Sequence, residues 1–191
     1  MADGHRRGRW VSGWAIVSTA LVLTHAATAA ELSVDGAPFG LAWGPITKVP
    51  PPLKAEHEAN LTALFYPRGW DPANGPATAE VILVICRDEG LQQVVWVGLP
   101  MSGEALARTR RAIHAEGVRR YGEPGVGGTA DSEVWPGGRA LLASREAADG
   151  NRELVMTAFG PGYAACSGTH HAETGHPAGT HMADLIGTGS P

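Results

Sequence analysis

The chain lacks the signatures of the common catalytic machines. There is no G-x-S-x-G elbow, no H-E-x-x-H, no phosphate-binding P-loop and no dinucleotide fingerprint. It also lacks a run of the ~20 apolar residues that a bilayer-spanning helix needs. The N-terminal apolar run, Trp14 to Leu23, is only roughly ten residues long. Cysteine is scarce, with two in 191 residues, and neither follows that run in the position of a lipid-anchor site. Positive charge is not in excess: the net charge is −4, which argues against a general nucleic-acid binder.

What is present begins with an address. Arg6, Arg7 and Arg9 precede the apolar run, and a small-residue tail, Ala26 to Ala30, follows it. This order, with Ala27-Thr28-Ala29 as an A-x-A site, reads as a signal peptide over residues 1–29. The Arg6-Arg7 pair raises twin-arginine export, but Gly8-Arg9-Trp10 continues it poorly, and the general secretory route is favoured. A periplasmic or secreted protein with no transmembrane anchor after cleavage is expected. Removing residues 1–29 leaves 162, enough for one domain, and takes the charge to about −6. The expected organisation is a single domain over 30–166 and a disordered, histidine-containing tail over 167–191.

In an oxidising compartment Cys86 and Cys166 can form one bridge; the alternative is a buried free Cys86 and an exposed Cys166. Between and around them the chain alternates short apolar runs with turns. Strands are expected over 61–66, 81–86, 91–97, 132–135, 139–144 and 153–159, with 81–86 β-branched and apolar enough to be covered on both faces and 91–97 its hairpin partner. Arg87-Asp88-Glu89-Gly90 reads as a turn. A helix is expected from Ser102, an N-cap residue, to Gly122 and Pro124, with Leu106, Thr109 and Ile113 on one side. A shorter helix is expected near Leu53–Ala59, after Pro50-Pro51-Pro52. The fold class is α+β: an antiparallel sheet with helices packed on one face, in an order that suggests a tandem αβββ repeat.

Several short motifs carry a family resemblance. Phe39-Gly40-Leu41-Ala42-Trp43-Gly44, Gly90-Leu91-Gln92-Gln93-Val94, Tyr121-Gly122-Glu123-Pro124 and Trp135 resemble, in order, pieces of a group of uncharacterised secreted proteobacterial proteins that open on F-G-L-x-W-G. The resemblance implies an architecture similar to the β-lactamase-inhibitor-protein and small outer-membrane-lipoprotein folds. It supplies no activity. From the residues alone, Phe39, Leu41 and Trp43 alternate as an extended piece that plugs the edge of the core.

Three sets of residues could bind something. The tail gathers His170, His171, His176 and His181, and imidazole is a ligand for Zn or Cu; the alternative is a solvated tail whose histidines are incidental. The helix carries Arg108, Arg111 and Arg119, a candidate patch for an acidic protein or cell-envelope partner, or simply a solvated face. Trp70 and Trp96 could line a groove or fill the core. Glu56-His57-Glu58 sets a histidine between carboxylates, but adjacent residues of a helix do not share a face. The leading expectation is a non-catalytic binding or interaction module. Transition-metal binding by the tail is the second reading, and a hydrolase without a recognisable motif the third.

Overall fold

A computed structural model describes residues 36–178, apart from Lys48, Trp70, Asp71, Asn74 and 126–130. The signal peptide, Trp70 and His181 therefore lie outside the described residues. Seven strands form one antiparallel sheet: β1 (Lys54–Glu58), β2 (Leu61–Pro67), β3 (Thr78–Cys86), β4 (Gly90–Gly98), β5 (Ser132–Val134), β6 (Ala140–Glu146) and β7 (Arg152–Phe159). Their spatial order is β1-β2-β3-β4-β7-β6-β5. Two helices complete the α+β fold, α1 (Gly103–Tyr121) and α2 (Tyr163–Thr174).

The sheet buries both faces at its centre because β3 and β4 carry apolar residues at consecutive positions. Tyr66, Val81, Leu83, Val94, Trp96, Leu142, Leu154 and Met156 point to one face. There they meet Ile113 and Tyr121 of α1 and the N-terminal segment, whose Phe39 ring lies 5.9 Å from Trp96. Leu41 and Trp43 pack against the same cluster, so the opening segment closes the core, but it is not extended throughout: Pro38–Gly40 is a 3-10 turn with Phe39 at φ 59°. At its end, Gly44 exchanges backbone hydrogen bonds with Leu91. Gly90, at φ 72°, has no room for a side chain there: a Cβ would sit 2.2 Å from the Gly44 carbonyl.

Helix α1 ends at Gly122, as its sequence predicts, but its buried face is not purely apolar. Glu116 and Arg120 are both buried. The Glu116 carboxylate accepts from the Phe39 N–H at 2.9 Å and from Arg120 at 3.3 Å, and it also pairs with Arg119. A buried carboxylate with these partners ties α1 to the opening segment, and removing it would leave the Phe39 N–H without its acceptor.

Tyr121, in the last turn of α1, is buried, and its hydroxyl has no hydrogen-bond partner among the described residues. Burial pushes its pKa up to about 12. An unfolded phenol ionises near 10, so between about pH 10 and 12 the unfolded state gives up its proton first. Stability should therefore fall as pH rises through that window and show no pH dependence from this group below it. Tyr121→Phe should flatten that part of the alkaline fall and leave neutral-pH stability unchanged or higher, which thermal melts across the window will show.

Four expectations are corrected. Residues 54–58 are a strand and not part of a helix over Leu53–Ala59. Lys54-Ala55-Glu56-His57-Glu58 has no apolar residue at helical spacing to bury, and the prolines before it feed an extended chain into pairing with β2. The first half thus supplies β1 to β4 without a helix, and the tandem αβββ repeat is absent from it. The helices also take opposite faces. Cys166 of α2 packs with Leu61, Val84 and Cys86, which alternate out of the face that holds Val81, Leu83 and α1. Finally, the segment read as a disordered tail from 167 is helical through Thr174, because Cys166 pins it to the sheet.

Candidate metal centre

Cys86 ends β3, and Cys166 lies one turn into α2; the two are paired as a disulfide with Cα atoms 6.0 Å apart. Both sulfurs are buried. Asn60, in the β1–β2 turn, donates its side-chain amide to the Cys166 carbonyl at 3.0 Å. The Gly162 N–H, at the start of α2, donates to Gln92 Oε1 at 2.8 Å. Arg87 reaches from the β3–β4 turn to Glu173 and to the Ala59 carbonyl. These ties lay α2 across the ends of β1, β2 and β3.

That placement decides where the histidines point. His170 is one helical turn beyond Cys166, on the same face, and is 1% exposed. The helix ends at Gly175, at φ 84°, which reverses the chain, and its N–H bonds to the His171 carbonyl. The Thr174 hydroxyl lies within hydrogen-bond distance of the His170 and His176 carbonyls and of the His176 N–H. The turn folds His176 back on His170, with ring centroids 5.5 Å apart.

Both rings face Glu58, the last residue of β1. Strand alternation puts Glu58 on the Leu61 and Cys86 face. His170 Nε2 lies 3.7 Å from Glu58 Oε2, and His176 Nε2 lies 3.4 Å from Glu58 Oε1. One donor atom from each residue falls within 4.8 Å of the other two. The two separations run to different oxygens of the carboxylate and are long for hydrogen bonds; the three donors need to draw in only slightly to reach the ~3.4 Å edge of a tetrahedron whose metal–ligand bonds are about 2.05 Å. Two imidazoles and a carboxylate suit a borderline divalent ion such as zinc or copper(II). His170 Nδ1 is buried without a hydrogen-bond partner among the described residues. The ring thus lacks the outer acceptor that usually orients a ligating histidine, which marks a site weaker than a structural zinc centre.

No protein-family model, curated protein or solved structure matches the chain. The site is therefore read from its own geometry.

Of the four histidines singled out in the sequence, the structure unites His170 and His176. His171 is exposed on another face of α2, and His181 lies outside the described residues. Glu58 was missed as a ligand because its segment was read as helix; strand alternation was the signal that pointed to it. Cys86, Glu89 and Cys166 also cluster, but both sulfurs are committed to the disulfide.

The other candidates disperse. Trp96 is fully buried, its indole N–H donating to Thr78 Oγ1 at 2.9 Å, so it fills the core and lines no groove. Arg108 and Arg111 are exposed on α1, Arg108 pairing with Glu104 at 2.7 Å, while Arg119 is taken up by Glu116. Arg110 and His114 share Glu133, at 3.1 and 2.6 Å. Most of the arginine row is thus partnered within the fold. An open cavity of about 600 Å³ beside the start of α2 is lined by Gly137, Arg139, Phe159 and Tyr163 among others. Its lining includes no carboxylate or imidazole, so no acid–base pair is assembled there.

Proposed function

We propose that this chain is an exported, non-catalytic binding module whose ligand is a divalent transition-metal ion, zinc or copper(II), held by Glu58, His170 and His176. The observation that carries this reading is the convergence within 4.8 Å of three donor atoms, from the end of β1, from α2 and from the turn that follows α2, where a disulfide clamps the helix to the sheet. Export is supported by the leader pattern of residues 1–29 and by a paired cysteine, which persists in oxidising compartments. Among the described residues no helix is long and apolar enough to cross a membrane. Three protein donors leave a fourth position of a tetrahedral ion for water or a further ligand.

Zinc titration calorimetry on the full chain without an affinity tag tests this. One ion should bind per chain, and His176→Ala or Glu58→Gln should each weaken binding at least ~10-fold, in line with the cost of disturbing a metal's ligand environment. His171→Ala should leave it unchanged. Affinity should fall on acidification, since protons compete for the two imidazoles. Absence of a one-to-one isotherm, or equal losses from His171→Ala and His176→Ala, would remove the site.

A further inference from the structure

Helix α2 has only two buried residues, Cys166 and His170. They sit one turn apart on a single face. Across the sheet runs a matching row: Glu58 pairs with Leu61 between β1 and β2, and Leu61 pairs with Cys86 between β2 and β3. The helix therefore meets the sheet through the Cys166–Cys86 bond, and one turn on His170 faces Glu58 across 3.7 Å. At its first residue the Tyr163 ring packs on Phe159 of β7, with centroids 4.6 Å apart, and the ties beyond that are slight. Arg87–Glu173 is an exposed ion pair of little worth, and Asn60 and Gln92 each add one hydrogen bond.

We propose that the disulfide and the metal site form one redox-linked clamp on α2: the closed bridge holds the metal, and reduction of the bridge by a dithiol releases it. This rests on the reading of Glu58, His170 and His176 as a metal site. With the bridge open, the helix that carries His170 and leads into His176 keeps one buried anchor, His170. The ligands lose their fixed separation, and binding must then supply the ordering of the helix as well.

The coupling runs both ways, as binding linkage requires. The sulfurs are buried, Cys86 at 1% and Cys166 at 0% exposure, so α2 must lift before a thiolate reaches them. A metal joining α2 to β1 opposes that motion. Reduction itself proceeds by two exchanges. A thiolate of the dithiol attacks one sulfur, forming a mixed disulfide and releasing one cysteine as thiolate. The second thiolate of the dithiol then displaces the other cysteine. Two electrons enter the protein, each cysteine takes up a proton, and the dithiol leaves as its own disulfide.

The test has two arms, both on the untagged full chain with zinc as probe. In calorimetry, the Cys86→Ser/Cys166→Ser double variant should bind zinc at least tenfold more weakly than the oxidised wild type. In the second arm, reduction by dithiothreitol is followed by mass of the alkylated thiols, with and without zinc. Zinc should slow reduction severalfold in the wild type and leave the rate unchanged in Glu58→Gln, which controls for zinc bound by the reductant. The second arm decides the matter if circular dichroism shows the double variant unfolded. Wild type that binds zinc, with equal affinity in the double variant and a reduction rate indifferent to zinc, overturns the clamp and leaves the metal site standing. Wild type that binds no zinc removes both.

Discussion

Trp96→Ala should cost the domain about 3–5 kcal/mol, the range for deleting a large buried aromatic side chain. Trp96 stands in β4, the middle strand of the sheet, and is fully buried. The fold is built around this ring. A Cβ on Gly75 would fall 2.4 Å from the indole nitrogen, and one on Gly98 2.8 Å from the ring's far edge. Both glycines give up side chains to make space for it. Alanine would leave that space void, strip Phe39 of its ring partner and leave the Thr78 hydroxyl without the indole donor. Urea unfolding should show a lower midpoint at an unchanged slope. Trp96→Phe should recover part of the loss by refilling the volume. An alanine variant within ~0.5 kcal/mol of wild type would mean that the ring is not in the core.

Removing the disulfide comes next in size. A bridge closing a loop of 80 residues is worth about 4–5 kcal/mol in the chain-entropy model. Whole domains hold only about 5–15 kcal/mol, so the Cys86→Ser/Cys166→Ser variant should sit near the edge of folding. The loss should also be uneven. Val84 and Leu61 keep their strand pairing, whereas α2 keeps His170 alone among its buried residues. Hydrogen exchange should therefore show the amides of Cys166 to Thr174 losing protection before those of β3 and β4. Uniform loss across sheet and helix would contradict the view of α2 as a separately clamped element.

Much of the architecture was legible because local chemistry and tertiary packing agree. Six strands fall where short apolar runs end at Pro, Gly or Asp, and α1 stops at Gly122, whose φ of 81° suits glycine. The strand β1 was not legible: five exposed residues with no buried period carry no pattern, and only pairing with β2 makes them a strand. Helix α2 was hidden for a related reason. Its sequence, Tyr163 to Thr174, buries two side chains, and what holds it is a covalent bond to a residue 80 positions away. The metal site inherits both gaps. Histidines in a row suggested metal chemistry, but which of them converge depends on the α2 geometry, and the carboxylate depends on β1.

The central claim is the ligand set, and X-ray absorption at the zinc edge on the loaded, oxidised protein tests it most directly. Two imidazole nitrogens and one carboxylate oxygen are expected at about 2.0–2.2 Å, with a light fourth ligand. Glu58→Gln should change the oxygen shell, and His176→Ala should remove one imidazole. A shell of oxygens alone, or an imidazole count untouched by His176→Ala, would contradict it.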